Sequence, residues 1–165
     1  DHPEVQSLIG RVRDRRIVAF RTYMTGEIYS LMCERSTLAR MCGDPDDSPD
    51  HQAEALRAFD EGVDHAGAQP GSLTHLLFTA RTEALLGGLP AHQVPAYLSG
   101  LLIGAEVRDA SSWSARDLVP TVVARTGLSA RYARAMHRLG LRGRVADGDS
   151  AAAGLAAIAR AAALL

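Results

Sequence analysis

The run Tyr97-Leu98-Ser99-Gly100-Leu101-Leu102-Ile103-Gly104-Ala105-Glu106 constrains the fold more than any other stretch. It has the apolar content of a buried helix, yet it carries two glycines four residues apart. A glycine inside a helix costs about 1 kcal/mol relative to alanine, so Ser99, Gly100 and Gly104 make sense where another backbone packs directly against the helix. The spacing predicts a helix over about 92–107 with a close neighbour. It does not predict a membrane span, because the apolar stretch is about a dozen residues, is closed by Glu106 and Arg108, and falls short of the roughly 20 a span needs.

A chain of 165 residues with 47% hydrophobic content can bury a real core, and is most simply one domain or one lobe of something larger. The net charge of -1 gives no global field that would draw it to nucleic acid or an anionic membrane, so partners must be argued from local sites. All 18 basic residues are arginine; the absence of lysine removes Schiff-base chemistry and a lysine phosphate clamp. Cys33 and Cys42 are too few for a disulfide scaffold and have no histidine at metal-ligand spacing, which fits a reducing, cytoplasmic setting. Asp1-His2-Pro3-Glu4 has no export pattern.

Along the chain, Arg16 to Met24 is β-branched and aromatic and reads as a strand. A helical pattern follows from Thr25, a candidate N-cap, through Ile28, Leu31, Met32, Leu38 and Met41 to Gly43. Asp44 to Asp50 is an acidic loop whose two prolines interrupt any cation-binding spacing, and Ser48-Pro49 is a helix start. Amphipathic helices are expected over about 51–65 and 72–86, and then comes the glycine-bearing helix. Trp113, among serines, is expected in a loop as an apolar plug. From Leu118 the texture changes to strand 118–124, turn Thr126-Gly127, helix 129–139, strand 143–146 and an alanine-rich helix 150–164, the grammar of an α/β unit.

Two strand-to-helix turns, Thr25-Gly26-Glu27 and Thr126-Gly127-Leu128-Ser129, place small residues and backbone amides at helix N-termini, where anions bind readily. Any βα turn favours the same residues, so a structural role is the ordinary reading. Arg131, Arg134 and Arg138 share one helix face and could meet phosphate or nucleic acid, or could form a solvated face. A helix-turn-helix there would be spoiled by the strand at 143–146. The six histidines are scattered with no HExxH, there is no GxSxG, and His75 reads as a packed or surface residue. Asp147 and Asp149 flank Gly148 before the last helix, with capping as the default role.

In order, Phe20-Arg21-Thr22-Tyr23-Met24-Thr25-Gly26-Glu27, Tyr97 to Val107, Leu128-Ser129-Ala130-Arg131-Tyr132 and Gly148-Asp149-Ser150-Ala151 resemble the C-terminal part of the 2-dehydro-3-deoxygalactonokinase family, sugar-acid kinases of the actin-like ATPase superfamily. The resemblance implies an α/β fold: a helix-rich C-terminal ribonuclease-H-like lobe with a small sheet, comprising residues 1–165 as a helical part over about 25–110 and a βαβα part over about 117–165. It implies ATP and Mg2+ as cofactors and phosphorylation of the terminal hydroxyl of 2-dehydro-3-deoxy-D-galactonate in galactonate and galactose catabolism. It gives Thr126, Gly127, Leu128, Arg131, Tyr132, Gly148 and Asp149 to the nucleotide, and Thr25, Gly26 and Glu27 to the substrate side. One departure stands out: Arg125 precedes Thr126 where related sites place glycine. The family's Asp-Trp-Gly-Ser-Thr phosphate loop has no counterpart here, so the N-terminal lobe is expected to be absent, the catalytic residues to lie on it, and the isolated chain to be inactive. The partners implied are ATP, a sugar acid and that other lobe, with neither nucleic acid nor membrane and with homo-oligomerisation open. The alternative is a non-catalytic helical interaction domain that keeps the same fold.

Overall fold

The computed structural model describes residues 7–14, 16–43, 48–68, 71–86, 88–113, 119–146 and 150–161. In chain order it contains strands β1 (Ser7–Arg13) and β2 (Arg16–Tyr23) and helices α1 (Thr25–Arg35), α2 (Pro49–Ala68), α3 (Leu73–Leu85) and α4 (Val94–Trp113). Strand β3 (Thr121–Val122), helix α5 (Thr126–Arg138), strand β4 (Arg144–Val145) and helix α6 (Ser150–Ala161) follow. It is a helix-rich α/β fold. Instead of one small sheet there are two: β1 and β2 pair antiparallel, and β3 and β4 pair parallel around α5.

Helix α4 is the hub. Its residues from Tyr97 through Gly104 are buried without interruption, because α2, α3, α1 and α5 cover it from different sides. Against α2 the two backbones touch. A Cβ on Gly100 would lie 2.1 Å from the Phe59 carbonyl oxygen, and one on Gly62 would lie 2.2 Å from that of Tyr97. The close approach expected from the glycine spacing is therefore real, and its partner is α2, which contributes a glycine of its own. Phe59, Val63, Ile103, Val107, Ala135 and Met136 form one core under α5, while Leu76, Ala80, Leu98, Leu101 and Leu102 belong to a second under α3.

Several boundaries differ from the sequence reading. Helix α1 stops at Arg35, because Ser36 Oγ donates to the Met32 carbonyl at 2.6 Å and accepts from Leu38 N–H at 3.0 Å, turning the chain out of the helix. Leu38 and Met41 therefore lie on the following turn and its single 3₁₀ turn, Ala39–Met41. Thr25 does not cap α1; Met24 occupies that position, no side chain caps the helix, and the Thr25 hydroxyl points elsewhere. Helix α4 runs to Trp113, since Ser111 and Ser112 return their hydroxyls to the Arg108 and Asp109 carbonyls at 2.7 and 2.6 Å. Trp113 is thus the last helical residue, not a loop plug, and Arg21 and Arg11 lie over its ring at 5.0 and 5.5 Å.

Strand β3 is limited to two residues because its partner β4 is equally short and Pro120 offers no donor. Helix α5 begins at Thr126, earlier than expected, and ends before Gly140, which takes φ +70, a left-handed conformation natural to glycine. Asp44 to Asp47 of the acidic loop, Leu118 and residues 162–165 lie outside the described residues.

Candidate functional site

The arginine face of α5 is divided between two jobs. Arg134 grips Asp60 on α2 in a fork, Nε to Oδ1 at 2.5 Å and Nη2 to Oδ2 at 2.7 Å. Arg138 adds a bond to Asp60 Oδ2 at 3.0 Å and binds Asp64, one turn further along α2. These two arginines clamp α5 onto α2 while staying on an exposed helix face. Arg131 turns the other way, and its Nη1 donates to Ser99 Oγ on α4 at 3.3 Å.

On that side lies a cavity of about 1170 Å³, bounded by β1, the start of α1, the inner face of α4, the β3 segment and α5. Two helix N-termini without a side-chain cap border it: Thr25 and Gly26 at α1, and Arg125 and Leu128 at α5. Arg125, Arg131 and Arg142 contribute positive charge to its wall. Backbone N–H groups at helix N-termini together with guanidinium groups suit a polyanion.

Glu106 lies against the cavity and is 4% exposed. Its carboxylate accepts from Ser7 Oγ at 2.7 Å, from Tyr132 Oη at 2.8 Å and from Thr25 Oγ1. A buried carboxylate is costly unless its lone pairs are satisfied, and here three hydroxyls from three elements satisfy it. The same contacts fix β1, the first turn of α1 and the middle of α5 relative to α4. Glu106 was legible only as a charge that interrupts an apolar run, and read that way it marks a helix end rather than a site.

Residues 5–158 match the family model described as DGOK, 2-keto-3-deoxy-galactonokinase. The chain belongs to this family. It is 37% identical over 148 residues to the 2-dehydro-3-deoxygalactonokinase of Escherichia coli (strain K12), a match that covers 89% of this chain and 48% of the relative. It is 34% identical over 160 residues to the probable 2-dehydro-3-deoxygalactonokinase of Rhizobium meliloti (strain 1021), covering 96% and 51%. A crystal structure described as that of "a putative 2-dehydro-3-deoxygalactonokinase protein from Sinorhizobium meliloti" superimposes with a TM-score of 0.78 at 34% identity, covering 96% of this chain and 52% of that one. The chain spans about half the length of the galactonokinase relatives it matches.

Of the residues that the resemblance gave to ligands, Thr25, Gly26, Leu128, Arg131 and Tyr132 line this one cavity. Glu27, half-buried in α1, is not part of its wall, nor is Gly127, which is exposed with open space around its Cα. Thr126 opens α5. Gly148 and Asp149 lie outside the described residues. Ser7, Ser99 and Glu106 are cavity residues that the motif reading missed. Among the described residues, no helix is long and apolar enough to cross a membrane.

The four tyrosines of the chain are shifted upward in pKa, with burial the largest cause for each. Burial, then the neighbouring Glu106 charge, pushes Tyr132 above its ordinary range. Burial raises Tyr97, and it moves Tyr29 and Tyr23 from 10.0 to about 12, the last reinforced by its hydrogen bond to Asp109. Burial, then Cys42, moves Cys33 from 9.0 to about 12. The folded chain therefore keeps protons that the unfolded chain releases near 9 to 10, so stability is intact below that range and falls as pH climbs toward 12. Tyrosinate absorbance should not develop at the ordinary pH 10.0 and should appear together with loss of helical circular dichroism. Simple titration of all four tyrosines at their ordinary value, with the fold intact, would contradict the described burial.

Proposed function

We propose that this chain is the C-terminal, ribonuclease-H-like lobe of an ATP-dependent sugar-acid kinase, and that the cavity beside Glu106 is where it meets its ligands. The observation that carries the proposal is the convergence on Glu106: one buried carboxylate holds Thr25, from the turn given to the sugar acid, and Tyr132, from the helix given to the nucleotide. Transfer of the ATP γ-phosphoryl group to the terminal hydroxyl of 2-dehydro-3-deoxy-D-galactonate is the reaction that membership of this family supports.

Phosphoryl transfer is governed by positioning and by neutralising phosphate charge. For this the chain supplies two helix N-termini and Arg125, Arg131 and Arg142 on one wall, held in register by Glu106. Among the described lining residues Glu106 is the carboxylate, and three hydroxyls already occupy it. That wall fits nucleotide phosphates. Magnesium commonly keeps water and phosphate oxygens as ligands, so in this reading the ion enters with the nucleotide.

The base that takes the hydroxyl proton, and the remaining phosphate contacts, are assigned in this proposal to the half of the family's length outside this chain. Leu8, Val12, Ile17, Val18 and Phe20 support that assignment, since all are more than half exposed on a two-stranded hairpin. A lone hairpin is marginal in water, and such a surface calls for a covering partner.

The test is calorimetric titration of the full gene product that carries this chain. MgATP should give saturable heat, and Arg131→Ala should weaken binding by about 10-fold or more, the loss expected for one charge-assisted hydrogen bond. No saturable heat, or an Arg131→Ala variant that binds as the parent does, would remove the nucleotide assignment and favour the non-catalytic interaction domain.

A further inference from the structure

At the opposite end of the α2–α4 pair, two imidazoles and a carboxylate come together. His51 and Glu54 stand one turn apart on α2, and His92 lies on the single 3₁₀ turn Ala91–Gln93 that leads into α4. One ligand atom from each lies within 4.8 Å of the other two. His92 Nε2 is 2.8 Å from Glu54 Oε2, and the two imidazole rings are 4.6 Å apart between centroids. All three residues are half-buried.

The surroundings hold these groups in place. Ser48 Oγ lies 3.0 Å from His51 Nδ1, and Gln93 Nε2 donates to Glu54 Oε2 at 3.3 Å. Behind His92 the backbone is pinned, because Gly43 N–H donates to the Ala91 carbonyl at 2.8 Å and a Cβ on Gly43 would come within 2.9 Å of His92 N. Hydrogen bonds that orient ligating imidazoles and carboxylates are a regular part of metal sites.

We infer that His51, Glu54 and His92 form a binding site for one borderline divalent transition ion, zinc or a congener, that staples the start of α2 to the turn before α4. Two imidazole nitrogens and one carboxylate oxygen match the zinc donor set, whereas magnesium and calcium prefer all-oxygen cages. Bonds of 2.0–2.1 Å in a tetrahedron need donors about 3.3 Å apart. The present separations, from 2.8 Å at the His92–Glu54 contact to at most 4.8 Å, reach that geometry by small side-chain rotations. Water would complete the shell. The site lies apart from the cavity and does not depend on the kinase reading: none of its three residues lines that cavity.

Equilibrium dialysis of the full gene product that carries this chain against Zn2+, paired with visible absorption after loading with Co2+, tests the inference. One ion should bind per chain, and Co2+ should give the intense bands of a four- or five-coordinate nitrogen and oxygen site. His92→Ala and Glu54→Ala should each weaken zinc binding by about 100-fold or more, whereas exposed His75→Ala and the Cys33→Ser, Cys42→Ser double variant should leave it unchanged. His92→Gln, which retains a hydrogen-bonding group beside Glu54, provides a second ligand deletion if the alanine variant fails to fold. Absence of stoichiometric binding, or binding that survives the ligand deletions or disappears with the cysteines, would overturn the site.

Discussion

Gly100→Leu should destabilise the fold by about 3 kcal/mol or more, measured by urea denaturation. Overpacking of a core typically costs about 1–3 kcal/mol, and this site belongs at the upper end because backbone lies in the way. The added Cβ alone would stand 2.1 Å from the Phe59 carbonyl oxygen and 3.1 Å from Val63 N, so α2 would have to move away bodily. Gly100→Ala should show most of the effect. Gly104→Ala should cost less, since its Cβ would come no nearer than 3.0 Å to the Ala66 side chain and 3.1 Å to Val63 Cα. Gly127→Ala should be neutral or stabilising by up to about 1 kcal/mol, because nothing lies within 4 Å of the added carbon and alanine is the better helix former. If Gly100→Ala melted with the parent, the backbone contact between α2 and α4 would be wrong.

Glu106→Ala carries the second large effect, an expected loss of about 2–4 kcal/mol. Removing the carboxylate strands the hydroxyls of Ser7, Thr25 and Tyr132 and leaves a void beneath the cavity. Glu106→Gln preserves volume and one acceptor oxygen, so its loss should be about half as large or smaller. The loss should come with faster hydrogen exchange in β1 and the first turn of α1, the elements that Glu106 ties to α4. An alanine variant within about 0.5 kcal/mol of the parent would show that those three contacts are incidental.

What the sequence disclosed follows the range of the interactions. The buried character of α4 and its need for a close neighbour are local properties of Tyr97 to Glu106, and the βαβ unit around α5 is legible in the β-branched run 118–124, the Thr126-Gly127 pair and the helix and strand patterns that follow. Strand β1 escaped because Gly10 and two arginines break its apolar alternation; its pairing with β2 supplies what its composition lacks. The clamp of Arg134 and Arg138 on Asp60 and Asp64 joins residues 74 to 78 positions apart, which no local pattern encodes. The same holds for Glu106, whose donors come from positions 7, 25 and 132, and for His92, brought from 38 positions away to Glu54. The two helix N-termini were each legible as turns of ordinary type, but only the fold brings both to one cavity.

That single cavity is the central claim, and amide hydrogen exchange on the full gene product, with and without MgATP and the sugar acid, tests it most directly. The N-terminal amides of α1, residues 25–28, and those of α5, residues 126–129, should slow together when both ligands are present, and this joint protection should weaken in Arg131→Ala. Protection of neither turn, with slowing confined to the face formed by α2 and α3, would contradict a ligand site organised around Glu106.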